Sequence, residues 1–130
     1  MSQTFTRPLP ALGVGGVIAT TEWSAFLDAV SAELAGSPVA LEVASPGQPR
    51  AVLARGVLHS LLYDPRADVI EVAVQTPTPG RISVLRHLIS RPVGVASDST
   101  HGLLPSLVLV EDGDGEVTRV RLLPSPAFGG

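Results

Sequence analysis

The sequence predicts an α+β domain: an N-terminal amphipathic helix and a short second helix packed on a curved, mostly antiparallel sheet of about six strands. Three observations carry this expectation. Apolar residues between Trp23 and Leu34 recur at spacings of three and four, which is one face of a helix. After Pro38 the period changes to two, the signature of half-buried strands. Turn-forming Gly, Pro and Asp stand between these stretches. A chain of 130 residues is near the commonest domain size, and 45% hydrophobic content is enough to fill a core and too much for disorder throughout.

Residues 1–19 are rich in Gly and Pro and read as a flexible arm, with one edge strand over Gly16–Ala19. The globular domain spans 20–123, and 124–130 read as a flexible tail. Thr20 or Thr21 is placed to cap the first helix, and Glu22 suits the positive end of its dipole. Trp23, Phe26, Leu27, Val30 and Leu34 form the buried stripe, and Gly36 and Pro38 end the helix. Val39, Leu41 and Val43 then alternate with Ala40 and Glu42 in a first strand, and Ser45–Arg50 is a turn. Ala51–Tyr63 is a longer strand in which Gly56 marks a bend or bulge. Asp64-Pro65 begins a turn, and Ile70, Val72 and Val74 face inward from the strand that follows.

Pro77–Gly80 breaks the pattern. Ile82, Leu85, Leu88 and Ile89 recur at spacings of three and four, which predicts the short second helix, ended by Arg91-Pro92. Strands follow at Val93–Ala96, Gly102–Val110 and Val117–Leu123, the last with Thr118, Val120 and Leu122 inward and Arg119 and Arg121 outward. The order helix-strand-strand-strand thus occurs twice. "GVLHSL" (56–61) and "GLLPSL" (102–107) fall at the same place in each half, which raises the prospect of a degenerate αβββ duplication. Leu58 and Leu61 are three apart, so a regular strand puts them on opposite faces. A bulge, or cover on both faces, is needed to bury both.

The rival architecture is a small barrel of the Sm-like or SH3-like kind, which also reads as a helix followed by bent strands with a Gly in the second. That reading admits nucleic-acid binding, which the composition disfavours. Net charge is −3, all nine basic residues are Arg without clustering, and aromatics make up only 4%. The chain has no cysteine, so thiol catalysis, disulfides and zinc–thiolate sites are excluded. Ala11–Ala19 is short and broken by glycine, a poor secretory signal, and no run reaches membrane-spanning length; a cytoplasmic location is the expectation.

Several stretches together resemble a bacterial family known as a domain of unknown function. They are "EWSAFLDAVS" (22–31), "VALEV" (39–43), "GVLHSLLYDPRADVIEVAV" (56–74), "RHLISRP" (86–92) and "GLLPSLVLVEDGDGEVTRVRL" (102–122). The Tyr-Asp-Pro turn and the His-Leu-Ile-x-x-Pro segment are the most specific of these. The resemblance covers about Ile18 to Leu122 and implies one small domain with no implied activity. The chain departs from the pattern in its longer arm and at Arg81–Leu85.

No stretch carries a complete catalytic or metal signature. Asp112, Asp114 and Glu116 echo the start of a calcium loop, but Leu123 stands where the bidentate Glu is needed. His59, His87 and His101 are too far apart for a helical metal pair, and Asp98, Ser99 and His101 are too close in sequence for triad geometry. "GVGG" (13–16) lacks the strand-before, helix-after setting of a dinucleotide loop. No cofactor and no metal are expected. Tyr63, Asp64, Arg66 and Asp68 form the one polar cluster borne on a turn, and together with His87 they are the candidate binding residues. The expected function is that of a non-catalytic interaction or accessory protein, contacting a protein partner or a second copy of itself as a homodimer, with Gly102–Val110 a candidate edge strand. Small-molecule binding is the alternative; nucleic acid and membrane are not expected partners.

Overall fold

The computed structural model describes residues 16–98 and 105–123. Most of the predicted arm, the tail, Ser99, His101 and the first residues of the Gly102–Val110 strand lie outside the described residues. Strand β1 (Gly16–Ile18) leads through a 3₁₀ turn (Thr20–Glu22) into helix α1 (Trp23–Leu34). Seven strands follow: β2 (Pro38–Ala44), β3 (Ala51–Asp64), β4 (Val69–Thr78), β5 (Arg81–Ser90), β6 (Pro92–Ser97), β7 (Leu107–Asp112) and β8 (Val117–Leu122). All eight form one antiparallel sheet in the order β1-β6-β7-β8-β2-β3-β4-β5.

The mostly antiparallel sheet and the N-terminal helix are as expected, but the sheet has eight strands, not about six. The predicted second helix is strand β5. Its burial alternates strictly, with Ser83, Leu85, His87 and Ile89 turned inward and Ile82, Val84, Arg86 and Leu88 outward. Periodicity misread it because the inward set contains polar Ser83 and His87 while the outward set is largely aliphatic. Capping also differs. Thr20 and Thr21 sit in the 3₁₀ turn, and Glu22 occupies the N-cap position with no side-chain capping bond.

The sheet curls on itself. Strands β5 and β6 are consecutive in sequence and joined only through Arg91, yet β5 is an edge strand and β6 lies near the other edge. The sheet must therefore bend round for Ser90 and Pro92 to meet. His87 Nε2 on β5 lies 3.2 Å from Thr118 Oγ1 on β8 across the interior. Three connections converge at this corner: the Arg91 amide donates to the Asp68 carbonyl (3.0 Å), and the Gly113 amide to the Arg91 carbonyl (3.1 Å). The two stretches most specific to the resemblance, the Tyr-Asp-Pro turn and His-Leu-Ile-x-x-Pro, are thus bonded to each other. The curl follows the sense of the barrel alternative. Among the described residues no ladder joins β1 to β5, and these two strands are the edges of the sheet.

The core lies inside the curl and is almost entirely aliphatic: Val39, Leu41, Leu58, Leu61, Ile70, Val72, Val74, Ile89, Val95, Val108, Val110 and Val120 are buried, under Trp23, Leu27 and Val30 of α1. Phe26 and Leu34 pack at its margin. Leu58 and Leu61 are both buried because the β3–β4 register shifts between Leu58 and Ser60, leaving His59 as the extra residue of a bulge. The matching segment 102–107 does not repeat this. Of its described residues, 105–107, only Leu107 is in a strand and Ser106 is an exposed bend, and a strand rather than a helix opens the second half. With strand β5 in place of the second helix, the described residues do not repeat an αβββ unit.

Strand β3 runs past the start of β2, and α1 serves the edge left over. The Leu61 amide donates to Ser31 Oγ (3.2 Å), the Gly36 amide to the Leu58 carbonyl (2.7 Å), and the Leu58 amide to the Ser37 carbonyl (2.9 Å). Gly36, at φ +89°, turns the chain from α1 towards β2 at this point. The Trp23 indole donates to the Ile18 carbonyl (3.1 Å) and meets the Tyr63 ring edge-on at 5.2 Å, so the start of the helix is tied to both β1 and β3.

Gly56 is where β3 bends. A Cβ there stands 2.1 Å from the Gln75 carbonyl oxygen. Gly56→Ala is expected to destabilise by about 1–3 kcal/mol, near the upper end because the obstruction is backbone. Urea unfolding followed by Trp23 fluorescence measures it, and an unchanged midpoint would refute the close approach.

Candidate functional site

The four turn residues come together as expected, and their bonds are local. Asp64 Oδ1 accepts from the Arg66 and Ala67 amides at 3.0 and 3.4 Å, the Asx arrangement that folds an Asp-Pro turn. The Tyr63 hydroxyl donates to Asp68 Oδ1 at 2.9 Å, and that bond, with the adjacent carboxylates, holds the phenol above its ordinary pKa. Asp68 takes a left-handed φ of +56°. These side chains shape the turn, and the Asp68 backbone carbonyl docks it against Arg91.

His87 is elsewhere, on the inner face of β5. Burial holds the ring below the ordinary imidazole value of 6.5, against the upward pull of Glu116 and Asp112. It is half-buried and bonded to Thr118, not presented to solvent. The acidic β7–β8 turn closes on itself, Asp112 Oδ1 accepting from the Asp114 and Glu116 amides at 2.8 and 3.0 Å. Among the described residues no group of three or more His, Asp or Glu is arranged to hold a metal ion.

The feature that stands free is β5. One neighbour, β4, pairs along its whole ten-residue length, and its other side has none among the described residues. The two-residue turn Pro79-Gly80 makes Thr78 and Arg81 a hydrogen-bonded pair, so alternation directs the odd-numbered residues of β5 at β4. The even-numbered residues, Ile82 to Ser90, then point their N–H and C=O groups away from the sheet. Pro77 fits this phase, because it pairs with Ile82 in the non-hydrogen-bonded position, where an N–H is not needed. The outward side chains are apolar and open: Ile82 is 70% exposed, Leu88 59% and Val84 38%. Arg86 among them is tied to Glu71 of β4.

The other edge, β1, is three residues long. Strand β7, the expected edge, begins at Leu107 and is paired on both sides by β6 and β8. An apolar hollow of about 680 Å³ opens beside Ile82, where β3 and β4 part beyond the Val57–Gln75 pair; Gly56, Val57, Pro77 and Pro79 line it. Sequence reasoning missed this edge because it assigned 82–89 to a helix. The signal was the period-two exposure of Ile82, Val84 and Leu88.

The model of DUF5335, a family of unknown function, matches residues 15–127. The chain belongs to that family. The match covers the stretches on which the resemblance rests. No curated protein and no solved structure matches the chain. Among the described residues of this DUF5335 member, no helix is long and apolar enough to cross a membrane.

His87 supplies a pH test of the curl. Its folded pKa lies below the unfolded value, so its contribution is complete above about pH 6.5 and is lost as pH falls from there through the folded value. His87→Leu is expected to cost about 1–2 kcal/mol at neutral pH, because Thr118 loses its partner. The variant is also expected to lack the decline in stability that begins below pH 6.5. Urea midpoints from pH 8 to 5 test both, and identical pH profiles would rule out a buried His87.

Proposed function

We propose that this protein is a non-catalytic interaction module that associates with a second copy of itself through the free edge of β5. The observation that carries this reading is a ten-residue edge strand with exposed aliphatic side chains and outward-directed backbone groups. Such an edge is a template for another strand. It is also self-complementary. A two-fold axis through Leu85 sets Ile82 opposite the partner's Leu88 and Val84 opposite the partner's Arg86. The two most exposed large aliphatic side chains among the described residues then meet on one face, as an isologous contact requires. All four positions are even-numbered, so the hydrogen-bonding phase agrees in both copies.

Nucleic acid remains a poor fit to a net charge of −3. A protein of other sequence could occupy the same edge, and a monomeric result in the following test would point to one.

Sedimentation equilibrium of the full chain is expected to give twice 13.4 kDa. Val84→Pro removes one outward N–H and no bond to β4, so it is expected to leave the circular dichroism unchanged while weakening association at least about tenfold. A wild-type chain that stays monomeric to millimolar concentration, or a Val84→Pro dimer as tight as wild type, would sink the proposal.

A further inference from the structure

The outer face of β2 and β8 carries a charge arrangement that packing alone does not explain. The register sets Glu42 opposite Arg119 and Ala40 opposite Arg121, and Arg50 reaches in from just before β3. Arg119 Nε lies 3.4 Å from Glu42 Oε1, Arg50 Nε 3.6 Å from the same oxygen, and Arg121 Nη1 3.5 Å from Glu42 Oε2. These are longer than the 2.7–2.9 Å of a well-formed guanidinium–carboxylate bond. The Glu42 side chain is only 6% exposed and that of Arg119 22%. Glu42 Oε1 and Arg119 Nε are both buried with no hydrogen-bond partner among the described residues.

Three guanidiniums around Glu42, with Asp98 the one other carboxylate lining the adjoining hollow, leave an excess of one positive charge in a partly desolvated place, within a chain whose net charge is −3. Burial, and after it Arg50, hold Arg119 below its ordinary pKa. Uncompensated buried charge is costly, and the ordinary remedy is a counter-charge. The Asp98 carboxylate is held by neutral donors. It accepts from the Ser106 and Leu107 amides at 2.9 and 3.1 Å and from the Ser106 hydroxyl, and it forms no ion pair with either arginine.

Beside the cluster is a hollow of about 330 Å³, lined by Arg119 and Arg121 together with Asp98, Ser106, Leu107 and Leu122. Each guanidinium has five N–H donors, of which Glu42 faces only one edge. The volume suits a compact oxyanion. A phosphate has oxygens enough to accept from both guanidiniums at once, whereas a monocarboxylate has only two.

We propose that this hollow is an anion site for a phosphate group, held between Arg119 and Arg121, with Glu42 and Arg50 positioning the guanidiniums. The edge of β5 has no part in it, so it stands whether or not the protein self-associates.

Inorganic phosphate titrated into the full chain, at ionic strength fixed with chloride, is the direct test. The Arg Nε–Hε resonances of Arg119 and Arg121 are expected to shift saturably, and the melting temperature to rise as a ligand specific for the folded state requires. Arg121, with a side chain 45% exposed, can be changed without opening the core. Arg121→Gln is expected to keep the fold and weaken phosphate at least tenfold, and acetate to bind wild type at least tenfold more weakly than phosphate. No saturable shift, or undiminished affinity in Arg121→Gln, would overturn the site. Equal binding of acetate and phosphate would overturn its assignment to a phosphate group.

Discussion

The architecture depends on the missing side chain at Gly56. Strand β3 is the longest in the sheet, pairing with β2 along its first half and with β4 along its second, and the change of partner occurs at this residue. The Gln75 carbonyl lies where a Cβ would be, so β4 folds across the inner face of β3 instead of continuing flat beside it. The two register shifts of β3, at Leu53 and His59, stand on either side and add bend and twist. A strand bent in this way brings β5 back towards β7 and β8, and that approach lets the three-residue connection Ser90–Pro92 span what would otherwise be a sheet's width.

Bending has a consequence for the helix. Beyond Gly56, β3 diverges from β2 and carries unpaired amides at Leu58 and Leu61 into the interior, where they must find acceptors. Ser31 and Ser37 supply them. The helix is therefore more than a lid over apolar residues. It completes the hydrogen bonding of the strand whose bend shapes the sheet, and Trp23 secures its first turn to β1 and Tyr63.

Legibility in the sequence followed how cleanly each element separates its faces. Helix α1 was readable because its stripe is apolar and its other face polar. Strand β8 was readable to the residue, with Thr118, Val120 and Leu122 inside and Arg119 and Arg121 outside. The spacing of Leu58 and Leu61 even indicated the bulge. Strand β5 was not readable, because an inner face holding His87 and Ser83 and an outer face holding Ile82, Val84 and Leu88 invert the usual pattern. That inversion is also why its outer face is exposed and apolar. The stretch of Tyr63, Asp64, Arg66 and Asp68 was legible as a turn, but its bonds to its own backbone could not be told from binding groups without coordinates. The Glu42 cluster was hidden for another reason. Arg50, Arg119 and Arg121 are spread over the sequence, and only the pairing of β2 with β8, the first and last strands after the helix, brings them to one carboxylate.

The same topology keeps the two surfaces apart. Strand β8 lies between β7 and β2 in the sheet, whereas β5 is at its end, three strands beyond β2. A contact at the β5 edge extends the sheet in its own plane and leaves the outer face of β8 uncovered. The two features also place opposite demands on water. The β5 edge gains by excluding it from Ile82, Val84 and Leu88, while beside the buried Glu42 the side chains of Arg50 and Arg121 remain nearly half open to it. Neither group of residues is needed to pack the core, which the aliphatic residues inside the curl fill without them.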